Sequence, residues 1–395
     1  FQTAASGTAD ATISWTTNAK LDINSRISLS NNDSGSGNTI FGYAAGASLD
    51  AGSNYNTFIG HNVSEATMND ATNNVGVGYD ALGALTTGDS NTIIGSEAGN
   101  ALTSGGSNIF IGSDAGGATT DVDGAIAIGV GAGGSNMTSD ADDSVGIGRN
   151  ALNALTSGIG NVAVGYAALV AEDDGDFNTA VGYQALTAQT GTSGMVANTA
   201  VGYQAGAAIT LGQNNVAIGM QALYTEDVGN RSTAVGLKAL FSQNSDSNNE
   251  ETGNTGLGSA TGYYNVTGQN NTYVGKYAGF GASGQSNGDN TAVGKDALLS
   301  VTTGSNNSIL GGLAGDAITT GNNNCFIGYA AGGASTDVDG AVAIGLYAMR
   351  SGNVTSAADG TIAIGQNALD ALTTGQKNIA IGYKALLQHT TGHRN

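Results

Sequence analysis

One glycine returns twenty times along the chain, at Gly42, Gly60, Gly78, Gly95, Gly112, Gly129, Gly148, Gly165, Gly182, Gly202, Gly219, Gly236, Gly258, Gly275, Gly294, Gly311, Gly328, Gly345, Gly365 and Gly382. Twelve of the nineteen spacings are 17 residues, none is shorter and the longest is 22. Residues are inserted into a fixed minimal unit and never removed from it. A solenoid behaves this way, because its coils share a core while its surface loops tolerate added length.

Each column of the unit has a physical reading. The residue before the glycine is aliphatic in every copy but the first, which has Phe41. Two residues earlier the side chain is β-branched in eighteen copies, Ser308 and Cys325 being the exceptions. Both choices favour a strand. The glycine is needed either where the backbone turns with φ > 0 or where it passes another segment closely; Gly165, Gly182, Gly202, Gly219 and Gly236 mark this column. Four residues before it stands Asn in fifteen copies, among them Asn161, Asn178, Asn198 and Asn215. Stacked Asn side chains form hydrogen-bonded ladders between in-register strands. Asn is also a turn former, and the sequence leaves both readings open.

A pairing inside the unit is more informative than any single column. Where the residue two before the glycine is large (Ile40, Phe58, Ile93, Phe110, Tyr273, Ile309, Phe326), the residue four after it is small (Gly46, Ser64, Gly99, Gly116, Gly279, Gly315, Gly332). Where the first is Ala or Gly, the second is Leu or Met in ten copies, and no copy is large at both. A close-packed interior demands such compensation, since overfilling costs roughly 1–3 kcal/mol. These two side chains are therefore expected to meet in one core.

That core lies on the opposite strand face from the aliphatic column, because side chains alternate along a strand. Both faces are thus expected to be buried, and the lumen of a coil covers only one. Copies of the same chain packed around an axis are the economical cover for the other. Coils spaced about 4.8 Å apart would make twenty of them a rod roughly 95 Å long. Parallel stacking also accounts for the absence of proline in all 395 residues, since Pro cannot donate to a ladder.

A larger period lies above the coil. Thr120-Asp-Val-Asp-Gly-Ala-Ile-Ala-Ile-Gly129 returns as Thr336-Asp-Val-Asp-Gly-Ala-Val-Ala-Ile-Gly345, so a block of about five coils reads as duplicated. Residues 38–395 form the solenoid, and Asn395 falls on the first position of what would be a further unit, so the repeat is expected to be truncated there. Residues 1–37 lack the glycine motif; Ala11–Thr17 and Leu21–Leu29 alternate like strands and are read as a cap or joint, with Trp15 packing within it.

Composition narrows the functions. A net charge of −20 opposes nucleic-acid or anionic-membrane binding, and no apolar run is long enough to span a bilayer as a helix. No cofactor is expected. Asp121/Asp123 and Asp337/Asp339 are paired carboxylates before a glycine, of a kind that takes a hard cation, but they are far short of the six to eight oxygens calcium needs, so a solvated acidic turn is the reading adopted. Glu172, Asp173, Asp174, Asp176, Glu250 and Glu251 fall in inserted loops and read as solvated charge rather than a hydrolase's carboxylate pair. His61, His389 and His393 form no triad with a nucleophile, Cys325 reads as a small buried hydrophobe, and no catalytic residue is assigned. The tyrosines after motif glycines (Tyr43, Tyr79, Tyr166, Tyr183, Tyr203, Tyr329, Tyr383) read as shields of the coil edges, with sugar stacking as the functional alternative. An ice-binding face needs two flat Thr ranks, whereas Thr here mixes with Val and Ile.

The units Asn-Val-Ala-Ile-Gly219, Asn-Ile-Ala-Ile-Gly382 and Asn-Thr-Ala-Val-Gly182 resemble the head repeats of trimeric autotransporter adhesins of the YadA type. The longer coils, with Thr-Thr-Gly turns such as Thr86-Thr-Gly88, Thr302-Thr-Gly304 and Thr373-Thr-Gly375, look more like tail-fibre and virion-fibre proteins of bacteriophages. The resemblance covers residues 38 to 395 and implies an all-β, left-handed parallel β-roll in which three chains share a core. It implies a non-enzymatic virion fibre, tail or capsid, whose partners are its own copies, other virion proteins and a host-surface receptor of unknown nature. The alternatives are a bacterial surface adhesin and, less favoured, a polysaccharide-degrading tailspike.

Overall fold

A computed structural model describes residues 35–191, 193–352 and 354–395, preceded by the short strands Gln2–Ala4, Trp15–Thr17, Ala19–Leu21 and Ile27–Leu29. The first two of these strands pair antiparallel, as do the second two. The expected packing of Trp15 lies outside the described residues. The rest is an all-β parallel solenoid of about twenty turns with no α-helix among the described residues. The chain divides into two compact units, residues 1–161 and 162–395.

In the first unit seven three-residue strands, from Thr39–Phe41 to Val145–Ile147, pair in parallel, each with the next. In the second, thirteen run from Val162–Val164 to Ile379–Ile381 in the same way. Register is strict: the middle residue of each strand faces the middle residue of the next, as Phe110 faces Ala127 and Ala180 faces Ala200. Insertions leave the ladder intact. The minimal coil after Gly165 and the lengthened coil after Gly182 even pair with each other a second time, through Gly175–Asp176 and Gly194–Met195. The duplicated blocks keep matching 3₁₀ turns, Ser139–Ala141 and Ser356–Ala358.

The two expected reasons for the motif glycine hold together. Gly202, Gly219 and Gly236 have φ of 135°, 128° and 134°, and a Cβ on any of them would come within 3 Å of the carbonyl oxygen of the next motif glycine. Only Gly satisfies both conditions.

The strand-centre residue and the residue four after the glycine fill the lumen. Phe58, Phe110, Tyr273 and Phe326 are fully buried, as are Leu82, Leu152, Leu169 and Leu186. A Cβ on Gly99 would touch Ile93 and Phe110 at 3.2–3.4 Å, and one on Gly146 would touch Leu152 at 3.4 Å. The fourth position also carries strain that sequence patterning does not reveal. Leu169, Leu186 and Leu240 all sit at φ 48°, in the left-handed region that costs a side-chain-bearing residue about 1–2 kcal/mol. Gly at this position thus provides space and removes strain at once.

The asparagines both close turns and form ladders. Asn91 accepts from the backbone N–H of Asn108 through Oδ1 (3.0 Å) and donates through Nδ2 to Asn74 Oδ1 (3.0 Å) and Gly105 O (2.9 Å). The same pattern runs through Asn271, Asn290, Asn307 and Asn324 in the second unit. Asn178, Asn198 and Asn215 continue it, each side chain accepting from the backbone of the following coil. Every one of these side chains is buried, and a buried amide is tolerated because both of its ends are bonded. Asn161 occupies the same column and is buried as well.

Candidate functional site

The strand face turned away from the lumen carries one aliphatic column and one column in which Thr alternates with Val and Ile, in both units. Its two columns are the residues one and three before each glycine, held pointing outward by strand alternation. In the first unit Ile59, Ile94 and Ile147 are more than a third exposed; in the second so are Val201, Ile218, Leu257, Leu310 and Ile327. Leu310 reaches 51%. A row of aliphatic side chains, one per coil, is the kind of continuous exposed patch that marks an interaction surface. Cys325 belongs to this face. It is half-buried in the single chain, not the enclosed small hydrophobe expected from the sequence, because its strand position points outward.

Beside this face the residues following the motif glycines stack. Tyr43, His61 and Tyr79 form one run with ring centroids 5.1 and 5.4 Å apart, and Tyr166, Tyr183 and Tyr203 another at 4.9 and 5.5 Å. His61 therefore serves as an aromatic rung. The other two histidines are also engaged: Gln376 N donates to His393 Nδ1 (3.0 Å), and His389 Nε2 lies 3.0 Å from Asn395 Nδ2.

A second aromatic run, in the column five after the glycine, escaped the sequence reading. Tyr224, Phe241, Tyr263 and Phe280 stack at 5.2, 4.9 and 5.4 Å, one per coil. Each is separated from the next by 17 to 22 residues, so the register of the glycines was the signal that could have found it.

The acidic residues are placed in two ways. Asp123 accepts the backbone N–H of Gly106 (2.6 Å) and Asp339 that of Asn322 (2.7 Å). Both belong to a surface column, six before the glycine, in which a polar side chain accepts the N–H of the equivalent residue one coil earlier; Thr72 to Asp89, Asp123 to Asp142 and Ser305 to Asn322 repeat it. Asp121 accepts from Thr120 Oγ1 and Asp337 from the N–H of Ser356, so each carboxylate of the two pairs already holds a bond within the protein. Arg231 and Glu251 form an exposed ion pair, a geometry worth little.

Glu172 corrects the reading of its loop as solvated. It is buried seven residues after Gly165, in a column that elsewhere holds Leu85, Leu102 and Leu155. Its Oε1 accepts from the N–H of Gly175 (2.7 Å) and Asp173 (3.1 Å), while burial pushes its pKa up to about 7. Glu172, Asp173 and Asp174 bring one carboxylate oxygen each within 4.8 Å of one another, the one such cluster among the described residues. Glu226, not singled out in the sequence, is buried in the same column and accepts from the N–H of Gly229 (2.7 Å), from Gln243 Nε2 (2.7 Å) and from Ser245 Oγ (3.1 Å). Gln243 and Asn254 extend this bonded network inside the second unit. A buried carboxyl group is tolerated where donors surround it, and Glu226 has them.

No helix among the described residues is long and apolar enough to cross a membrane. No protein-family model matches the sequence, and no curated protein is significantly similar to it.

Proposed function

We propose that the chain is the shaft of a homotrimeric virion fibre, a left-handed β-roll that carries host attachment without catalysis. The observation that carries this reading is the outward aliphatic face. A protein that leaves a Val, Ile or Leu at least partly in water in coil after coil has a cover for them, and a second and third copy of the same face supply it with matched spacing. The mechanism is reach and multivalency: identical flanks repeated around an axis, on several fibres per particle, turn weak contacts into firm attachment. The net charge of −20 per chain keeps neighbouring fibres apart.

The tail-fibre-like coils support the virion setting over a cell-surface adhesin. Immunogold labelling with antibody to the chain tests this. Gold on fibres projecting from purified particles is the expected result; gold on bacterial envelopes in cultures free of particles would favour the adhesin. Hydrolysis of a capsular polysaccharide by the purified chain would overturn the non-catalytic assignment.

A further inference from the structure

The second unit carries a recess of about 550 Å³ on the flank formed by the columns two and five after the glycine, in the four coils that follow Gly236, Gly258, Gly275 and Gly294. We propose that this recess binds a short stretch of carboxylate-bearing polysaccharide, so that the rod itself touches an acidic glycan. The attachment role rests on the fibre reading above; the binding site stands on its own geometry.

Tyr263, Tyr277 and Phe280 line the recess, with Lys238, Ser259 and Asp296 at its polar edge. The space opens because Ala260 occupies the column that holds Lys238 one coil earlier and Tyr277 one coil later. Phe280 is fixed by Tyr263 on one side (5.4 Å, stacked) and edge-on by Tyr277 (5.3 Å), so the apolar wall is rigid before any ligand arrives. Aromatic walls of this kind pack against the C–H faces of sugar rings, and the Asp296 carboxylate and Ser259 hydroxyl are placed to bond ring hydroxyls.

Charge selects the acidic sugar. The chain has only 11 basic residues against 31 acidic, yet Lys238, Lys276 and Lys295 fall within four successive coils here. Lys295 is paired with Asp296 (3.1 Å). Lys238 and Lys276 have no ion pair among the described residues and lie over the rings of Phe241 (4.9 Å) and Tyr277 (4.7 Å). Two uncompensated cations beside a preformed aromatic wall, on a molecule that repels anions elsewhere, suit a ligand with spaced carboxylates. A nucleic-acid strand suits it less, since its phosphates would run on over acidic surface. Nearer the N-terminal end of the unit the same columns line a separate recess of about 320 Å³ beside Tyr224, edged by the amides of Gln184 and Gln204, which bond each other at 3.0 Å.

Calorimetric titration of the full chain with tetragalacturonate, uncharged cellotetraose and a single-stranded oligonucleotide tests the proposal. Saturable binding of tetragalacturonate is expected, weakening as salt is added. The double variant Lys238→Gln/Lys276→Gln, whose melting should match the parent's, is expected to bind about ten-fold more weakly, and Phe280→Ala to lose binding. Absence of tetragalacturonate binding, equal affinity for cellotetraose, tighter binding of the oligonucleotide, or affinity unchanged in the lysine variant would each overturn it. Sedimentation of the same sample separates the two readings: a trimer that binds no glycan sinks the recess alone, and a monomer that binds sinks the trimer alone.

Discussion

Gly116 lies flat against the ring of Phe110, so close that a Cβ on it would fall inside van der Waals distance of three ring carbons. The pair explains the compensation seen along the whole repeat, and it predicts a coupled double mutant. Gly116→Leu alone should cost about 1–3 kcal/mol through overpacking, and Phe110→Ala alone about 3–5 kcal/mol through the cavity it leaves. Together they recreate the natural pairing of Ala163 with Leu169 and should recover much of both losses. Ala180→Phe with Leu186→Gly makes the reverse exchange. Denaturant melts of the four single and two double variants measure the coupling, and additive effects would mean the two positions do not share a core.

The Asn ladder predicts a cost that reaches beyond the mutated coil. Asn91→Ala leaves the N–H of Asn108 and the carbonyl of Gly105 without their partner in a buried setting. About 1–3 kcal/mol per orphaned group is expected, and Asn91→Asp should do no better because it removes the donor and buries a charge. Hydrogen exchange at the Asn108 amide reads this directly; unchanged protection would reduce the asparagines to turn formers.

Burial of Glu172 gives the second unit a pH dependence of definite sign. With its pKa raised from 4.5 to about 7, the folded chain binds more protons than the unfolded one between those values. Stability from this group is complete below 4.5, falls as pH rises through about 7, and is flat above. The difference is on the order of 3 kcal/mol. Amide exchange in the coil around Glu172, followed across that window, should quicken with rising pH beyond the intrinsic chemical effect. Glu172→Gln should abolish the excess; an excess that survives the substitution would place its origin elsewhere.

A charge placed on the outer face should separate association from folding. Ile218→Asp points into water in the single chain, so the coil should keep its ladder and circular dichroism spectrum. If that face packs against other copies, the substitution buries three carboxylates near one another and association should be lost. Retained association would move the interface to another face.

The repeat made the ladder, its register and the lumen pairing legible, because strict spacing and volume compensation report on neighbours that sit side by side in the fold. Phe110 and Gly116 could be matched from sequence for that reason. The rest was hidden where the relevant neighbours lie one coil away at positions of mixed chemistry. Asp123 and Asp339 read as a solvated acidic turn until the coil register placed each under a backbone N–H. Glu226 looked like any acidic loop residue, although it occupies a core column and is enclosed by Gln243 and Ser245. The Tyr224 to Phe280 run was missed because insertions stagger it in sequence while the ladder aligns it in space. The positive φ of Leu186 was hidden because a bulky Leu is not expected there, although Gly99 and Gly116 hold the same column in other coils.

Sedimentation equilibrium of the purified chain is the most direct test of the account, because everything about the fibre depends on the aliphatic face being covered by copies of itself. The account predicts a single species of three times 38.8 kDa that persists on dilution and is reduced to monomer by Ile218→Asp. A folded, soluble species of 38.8 kDa across the concentration range would contradict it.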